Sequence, residues 1–460
     1  MAGKLFGTTG VRKVYGTEFN LDMALKLGKT LGTYLKKGTV VIGRDARTTG
    51  RMVSDALTAG ILSTGIDVVD VGIIPTPTLA FTAAASEPPF SAGVMVTASH
   101  NPPEYTGVKF WNSNSMGYTP EMEAELERIF YSEEFQVANW DAIGSVSHLE
   151  TAVEKHIQSL LENCDRAAIE GKNFKVVVDP GNGAACVLTP YLMQRLGCKV
   201  ITINGQLDGH FPGRKSEPEE ATLGDLISMV KETAADLGIA HDGDSDRVVF
   251  VSETGEVVRG DRTIALFAKE ILTAGSSKTI VTTVDSSKVL DEVVKKAGGN
   301  TIRTPVGDIQ VAIKLNELKA VHGGEACGVF LFPEFHLAPE PFLAACKVLE
   351  LMAKTNRSFG ELIAEIPTYP LLKTKIPVSS DKKNQVMKSL EQELPKAMSD
   401  VREVITVDGL GISLSDGWVL VRPSGTEPVI RITCEASSDE RVREILEISQ
   451  KVVQALVTIS

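Results

Sequence analysis

Ser91-Ala-Gly-Val-Met-Val-Thr-Ala-Ser-His-Asn-Pro102 decides the fold. Its first seven residues form an apolar run of strand length, and Asn101-Pro102-Pro103 ends it. A residue before proline is steered to extended backbone, so the strand does not pass directly into a helix. Ser99 is therefore expected on an exposed loop just past the C-terminal end of a rigid strand, where open α/β sheets bind ligands. The same unit recurs outward from this stretch. Thr39-Val-Val-Ile-Gly43 reads as a buried strand, followed by a helix over 52–63 and a strand over 67–71. Lys175-Val-Val-Val-Asp179 is a strand before Pro180-Gly-Asn-Gly183 and a helix, and Leu237-Gly-Ile-Ala-His241 is a short strand that ends at a run of acids. Lys278-Thr-Ile-Val-Thr-Thr283 opens a third round with a helix over 288–296, and Ala320-Val-His-Gly-Gly324 again places a motif at a strand end.

This alternation predicts α/β architecture in three comparable units, at 1–152, 153–253 and 254–367. The remainder, 368–460, lacks the rhythm. Strands are expected over 369–378, 417–421 and 429–435, with helices over 383–397 and 439–457, so this part reads as a smaller α+β domain after a linker at Pro367-Thr-Tyr-Pro370.

A chain of 460 residues is long enough for roughly three or four cores. The apolar share of 43% and charged share of 23% are those of a soluble globular protein. With 47 basic and 59 acidic residues the net charge is −12, which argues against a nucleic-acid binder. It leaves room for phosphorylated substrates, because a few focused cations can dominate one cleft. The six cysteines show no C-x-x-C pair, so reduced thiols in a cytoplasmic protein are expected. No signal-peptide stretch and no membrane-spanning run are found, so neither nucleic acid nor membrane is an expected partner. A homo-oligomer is compatible with the sequence.

Four short segments carry chemistry. A serine hydroxyl such as that of Ser99 is a poor nucleophile unless activated or already bearing a group; His100 is adjacent and Lys109 lies ten residues on. The plain alternative is a turn serine that caps backbone groups. Asp242, Asp244 and Asp246 alternate, so an extended loop can converge them on one cation, and hard oxygen donors suit Mg²⁺. Counting from Asp242 as an EF-hand loop, Glu253 fits position 12, but Arg247 stands where glycine is needed, and the flanks read as strands. An aspartyl phosphatase also places D-x-D after a strand, yet Asp246 occupies the position where it usually has Thr or Val. Glu325 is a lone acid between Gly324 and Ala326, with Cys327 beside it; the cysteine reads equally as a small buried apolar residue. Arg422, Ser424, Gly425 and Thr426 combine a planar cationic fork, two hydroxyls and a glycine that lets backbone N–H groups approach an anion, which suits a phosphate.

Taken in chain order, Thr97-Ala-Ser-His-Asn-Pro102, Asp242-Gly-Asp-Ser-Asp-Arg247, Gly324-Glu-Ala-Cys-Gly328 and Arg422-Pro-Ser-Gly-Thr-Glu-Pro428 resemble the α-D-phosphohexomutase superfamily, in its phosphoglucosamine mutase and phosphomannomutase/phosphoglucomutase branch. Phe6-Gly-Thr-Thr-Gly-Val-Arg12 and Asp208-Gly-His-Phe-Pro-Gly-Arg214 resemble further family segments, and Thr304-Pro-Val-Gly-Asp308 resembles the phosphoglucosamine mutase form. Three departures stand out: Lys13 for a common glycine, Cys327 for a usual serine, and Leu337-Ala-Pro-Glu-Pro341 for the frequent Gly-Arg-Asp-Gly.

The resemblance implies three similar α/β domains with mixed sheets and a smaller C-terminal domain around a central cleft. It implies that Ser99 carries a phosphoryl group, that Ser99, Asp242, Asp244 and Asp246 hold Mg²⁺, and that His100, Lys109, Arg247 and Arg12 surround the transferring phosphate. Glu325 and Cys327 would meet the sugar, while Arg422, Ser424, Gly425 and Thr426 would grip the other phosphate. The implied reaction interconverts hexose 6-phosphate and 1-phosphate through a hexose 1,6-bisphosphate, with glucosamine phosphate first and mannose or glucose phosphate second. A sugar-phosphate phosphatase, which needs one phosphate site rather than two, and a non-catalytic sugar-phosphate sensor are the rivals.

Overall fold

The computed structural model describes residues 5–7, 10–274, 278–379, 381–424 and 428–459. Four sheets follow one another along the chain. The first contains β1 (Val11–Val14), β2 (Thr39–Arg44), β3 (Asp67–Ile73), β4 (Ala92–Val96), β5 (Tyr105–Trp111) and β6 (Val146–His148), in the order β1-β5-β4-β2-β3-β6. Parallel pairing of β2 with β3 and β4 forms its centre, and β5 returns antiparallel to β4. The second sheet contains β7 (Lys175–Asp179), β8 (Lys199–Thr202), β9 (Leu237–His241), β10 (Val248–Ser252) and β11 (Val257–Val258), in the order β11-β10-β9-β7-β8. The third contains β12 (Thr279–Thr283), β13 (Asn300–Thr304), β14 (His322–Glu325), β15 (Val329–Phe332) and β16 (His336–Pro339), in the order β13-β12-β14-β15-β16. Both are mixed: the βαβ strands pair in parallel, and the strands after each motif fold back antiparallel.

The fourth sheet, of β17 (Leu371–Pro377), β18 (Val401–Ile405), β19 (Leu410–Leu414), β20 (Gly417–Pro423) and β21 (Val429–Ala436), is antiparallel throughout. Its helices, Lys383–Ala397 and Asp439–Ile459, lie where the sequence places them.

The central strands of the first three sheets are buried over nearly their whole length, as parallel strands covered on both faces must be. One hydrophobic cluster runs through the second and third sheets, from Ile157 and Val176 to Phe330, Phe342 and Ile366. A smaller one joins Val41 and Met95 of the first sheet to Ala338 of β16. The fourth sheet keeps its own core around Val386, Leu390, Val421 and Ile432. It meets the third through polar contacts: Lys288 Nζ donates to Ser413 Oγ at 2.9 Å and to the Gly417 carbonyl at 2.8 Å, and the Lys288 N–H donates to Glu435 Oε1 at 3.0 Å.

The departure at 337–341 has a structural account. Glu340 caps the helix Pro341–Thr355, its Oε1 accepting the N–H groups of Phe342 (3.2 Å) and Leu343 (3.4 Å). Its Oε2 lies 3.0 Å from His156 Nε2 and 2.7 Å from His336 Nε2, and all three residues are buried. His336 Nδ1 accepts the Ala338 N–H at 3.0 Å, so Nε2 bears the proton and donates to Glu340. His156 Nδ1 sits 2.9 Å from the Thr78 hydroxyl of the helix Thr76–Ala85. This filled network fastens the first three domains to one another. The two histidines, after burial is opposed, hold the Glu340 carboxyl down at about 2.

Removing the carboxylate at the centre of this buried network strands its histidine and helix N–H partners. Glu340→Ala is expected to destabilise the protein by about 3–5 kcal/mol, read as a lowered midpoint in urea denaturation. An unchanged midpoint would show that the network holds nothing together.

Candidate active site

Ser99 follows β4 by three residues, and Asp242 directly follows β9. The two loops meet face to face. Ser99 Oγ donates to Asp242 Oδ2 at 3.1 Å and lies 3.4 Å from His100 Nδ1. Ser99 is fully buried, contrary to the exposed loop expected from sequence. The reason is the partner loop, which covers it: the Gly243 Cα approaches so closely that a Cβ there would stand 2.7 Å from the Ser99 carbonyl oxygen.

Ser99 has φ of +51°, which costs a non-glycine residue on the order of 1 kcal/mol. A dense set of bonds holds it there. Its N–H donates to Thr97 Oγ1 at 2.8 Å, and Thr97 Oγ1 donates to Asp45 Oδ2 at 2.6 Å. Arg47, paired with Asp45 through Nε at 3.1 Å, donates to four carbonyls of the loop: Ser99 (2.8 Å), Asn101 (2.6 Å), Pro102 (2.6 Å) and Tyr105 (3.0 Å). Asp45 and Arg47 lie just past the end of β2. The sequence signal for them is Gly43-Arg-Asp-Ala-Arg47, charged residues at the end of a predicted strand.

Lys109, on β5, inserts between the acids of the second domain. Its Nζ donates to Asp244 Oδ2 at 2.8 Å and Asp246 Oδ2 at 2.6 Å. Thr76 Oγ1 donates to Asp244 Oδ2 at 2.6 Å, a contact that sequence reasoning missed. Arg247 pairs with Glu217, which also lies 3.4 Å from His100 Nδ1. Arg12, on β1, is close enough for its charge to act on His100, Lys109 and Asp244. The Asp208–Arg214 segment braces the fold: Arg214 pairs with Asp179 at 2.7 Å and donates to the His241 carbonyl at 2.6 Å, tying the ends of β7 and β9.

These charges shape one another. Burial and then the neighbouring Asp246 and Asp244 push the Asp242 carboxyl well above the usual range. Burial also opposes ionisation of Asp244, but Lys109 outweighs it and holds that carboxyl low. Lys109 stays charged in spite of burial because Asp244 and Asp246 flank it. Burial, then Arg247, Arg12 and Lys109, drive His100 far down, so its imidazole is neutral.

The residues present fit a hard divalent cation. Ligand oxygens of Asp242, Asp244 and Asp246 lie within 4.8 Å of one another. Asp244 Oδ1, Asp246 Oδ1 and Ser245 Oγ are buried and find no hydrogen-bond partner among the described residues. Stranded buried carboxylate oxygens are costly, and oxygen ligation by Mg²⁺ would satisfy them.

Glu325, at the end of β14, accepts the Gly307 N–H at Oε1 (2.8 Å), and Cys327 Sγ lies 4.0 Å from its Oε2. Burial, with Asp308 and Asp285 nearby, lifts the Glu325 carboxyl to about 8. Arg422, near the end of β20, pairs with Asp408 at 2.8 Å. Ser424 is buried, and its carbonyl accepts from Lys383 Nζ at 2.7 Å. Gly425 and Thr426 lie outside the described residues.

Comparison with known proteins identifies the family. Residues 3–137, 154–255 and 259–369 match the phosphoglucomutase/phosphomannomutase alpha/beta/alpha domains I, II and III, and residues 376–449 match the C-terminal domain of the same family. A probable phosphoglucosamine mutase of Methanopyrus kandleri is 44% identical, with 96% of each chain covered. A phosphoglucomutase/phosphomannomutase of Thermococcus kodakarensis is 43% identical over 98% of this chain and 99% of its own. Among solved structures, a phosphoglucomutase/phosphomannomutase family protein of Burkholderia thailandensis superposes with a TM-score of 0.86 at 27% identity, covering 98% of this chain and 97% of that one. The chain belongs to the phosphoglucomutase/phosphomannomutase family of α-D-phosphohexomutases. Its activity is that of a phosphohexomutase, an isomerase that acts as an intramolecular phosphotransferase. Among the described residues no helix is long and apolar enough to cross a membrane.

Arg47→Ala would strand four carbonyls and the Asp45 carboxylate in a buried place. The expected loss is about 3–5 kcal/mol, measured by chemical denaturation. Pairing it with Asp45→Asn removes the unpaired charge and should recover part of that loss.

Proposed function

We propose that the protein interconverts glucosamine 6-phosphate and glucosamine 1-phosphate through phospho-Ser99 and a hexose 1,6-bisphosphate. The observation that carries this reading is the buried meeting of Ser99 Oγ with Asp242 Oδ2 at 3.1 Å, beside three acids and the Lys109 and Arg247 cations. Phospho-Ser99 gives its phosphoryl group to the free hydroxyl of a hexose monophosphate. The P–O bond to Ser99 Oγ breaks as one to the sugar oxygen forms, and the hydroxyl proton passes to the neutral His100 imidazole, whose basicity, lowered by burial and the surrounding cations, rises again beside the negative phosphate on Ser99. The bisphosphate then turns over. Its other phosphoryl group returns to Ser99 Oγ, and the proton moves back to the oxygen left behind.

Asp242, Asp244 and Asp246, with the Ser99 phosphate, would hold Mg²⁺. Bound there, Mg²⁺ offsets the charge on the transferring phosphate. Lys109 and Arg12 add fixed positive charge to the same side, and Arg247 is near enough for its charge to act on both His100 and Glu325. Glu325, with Cys327 near its carboxyl, meets the sugar hydroxyls. Arg422 and Ser424, with Gly425 and Thr426, hold the phosphate that is not being transferred. The sugar assignment draws on relatives named phosphoglucosamine mutase and on Thr304-Pro-Val-Gly-Asp308. A relative named phosphoglucomutase/phosphomannomutase of nearly equal identity keeps mannose and glucose phosphates as the second reading. Domain limits at 1–152, 153–253, 254–367 and 368–460 are part of the same reading, supported by the four separate sheets. A cytoplasmic setting is supported by six free thiols.

Ser99→Ala should remain folded and lose nearly all turnover, while mass spectrometry of the unmodified protein finds a phosphate on Ser99. Full activity of the alanine variant would end the assignment. A parallel assay of glucosamine, mannose and glucose 1-phosphates, each with a catalytic amount of its 1,6-bisphosphate, ranks the sugars.

Asp244→Asn removes one anionic donor with little change of shape. Isothermal titration with Mg²⁺ should show affinity lower by about tenfold or more, from loss of a charge-assisted contact of about 1.5–3 kcal/mol. A wild type that stays fully active in excess EDTA would rule out the metal role.

A further inference from the structure

We propose that Asp408 is a positioning residue that couples the phosphate grip of the fourth domain to the sugar-contacting acid of the third; this rests on the reading of Arg422 and Glu325 given above. Asp408 lies in the turn between β18 and β19. One oxygen, Oδ2, does two things at once. It pairs with Arg422 Nη2 at 2.8 Å, and it accepts the Val306 N–H at 3.0 Å. Val306 belongs to the loop after β13. The next residue, Gly307, donates its N–H to Glu325 Oε1 at 2.8 Å. A continuous path of short polar contacts thus runs from the guanidinium of Arg422 through Asp408 and the Val306–Gly307 backbone to the Glu325 carboxyl.

The turn that carries Asp408 is packed directly on Arg422. A Cβ on Gly409, which has φ of +82°, would stand 2.3 Å from the Val421 carbonyl oxygen and 3.0 Å from Arg422 Cγ. Asp408 therefore cannot shift without disturbing Arg422. Its hold on Nη2 fixes one edge of the guanidinium fork. Arg422 Nε, buried, has no partner among the described residues. A guanidinium fixed on one edge presents its remaining donors in a set direction, which is what recognition of a tetrahedral anion needs. The loop pinned by the same carboxylate sets the acceptor geometry of Glu325. Phosphate recognition at one end of the substrate and hydroxyl recognition at the other therefore support each other.

A double-mutant cycle in steady-state kinetics tests this, using Asp408→Asn, Glu325→Ala and the two together, with Arg422→Ala as a reference. Asp408→Asn keeps the shape and removes the charge. Its KM for the phosphosugar should rise by about tenfold, the size of a lost charge-assisted contact, with kcat nearly unchanged because the contact is kept through the reaction. In the Glu325→Ala background the same substitution should raise KM far less, so that the two effects fall short of additive by about fivefold or more. Additive effects, or an unchanged KM in Asp408→Asn while Arg422→Ala raises it, would overturn the coupling. A lowered thermal midpoint and kcat with KM unchanged would also overturn it, since that is the mark of a merely structural role. An unchanged KM in Arg422→Ala would overturn the reading of Arg422 itself as the grip.

Discussion

Three carboxylates buried within 4.8 Å of one another, one of them bonded to the Ser99 hydroxyl, cannot all keep their charge without cations, and that requirement binds the first two domains together. Asp242, Asp244 and Asp246 come from the second domain, while Lys109 and Thr76, which satisfy Asp244, come from the first. Neither domain balances its polar groups alone. Lys109, fully buried, would be an unpaired ammonium without the acids, and the acids would repel one another without it. The Asp244 and Asp246 oxygens that find no hydrogen-bond partner among the described residues after this exchange are those a divalent cation would take up.

The Arg47 clamp serves the same end by different means. Four carbonyls pointing toward one guanidinium bend the Ser99 loop into a shape that backbone preference alone would not choose. The serine hydroxyl is thereby set against the acidic loop before any ligand arrives, so less ordering is left for the moment of binding.

Much of this was legible in the chain, for identifiable reasons. Strands 175–179 and 237–241 and the helix 383–397 were read correctly because each is a buried or amphipathic run closed by a turn signal or a change of period. The acids at alternate positions announced their convergence. Burial of Ser99 was not legible, since it depends on a loop 143 residues away. The antiparallel return of β5 was hidden behind Pro102-Pro103, which reads as a stop rather than a turn. The Glu340 network escaped for a similar reason: His156 lies 184 residues from Glu340, and neither residue has a local reason to be charged. Asp408 is an ordinary turn aspartate in sequence, and only the neighbouring domain gives it a task.

The unequal joints between domains have a further consequence. The first three share apolar clusters and a buried histidine–glutamate network, so separating them exposes a wide greasy surface. The fourth is joined to the third by hydrogen bonds of Lys288 to Ser413, Gly417 and Glu435 and of the Val306 N–H to Asp408, made by polar groups that water can also satisfy. Hydrogen bonds contribute about 0.5–1.5 kcal/mol each, and states a few kcal/mol above the ground state are populated at roughly 0.1–10%. Stiffness is therefore graded along the chain. Of the joints described, the polar one that holds the C-terminal domain is the one that costs least to open, and opening it leaves the apolar contacts around Ser99 intact.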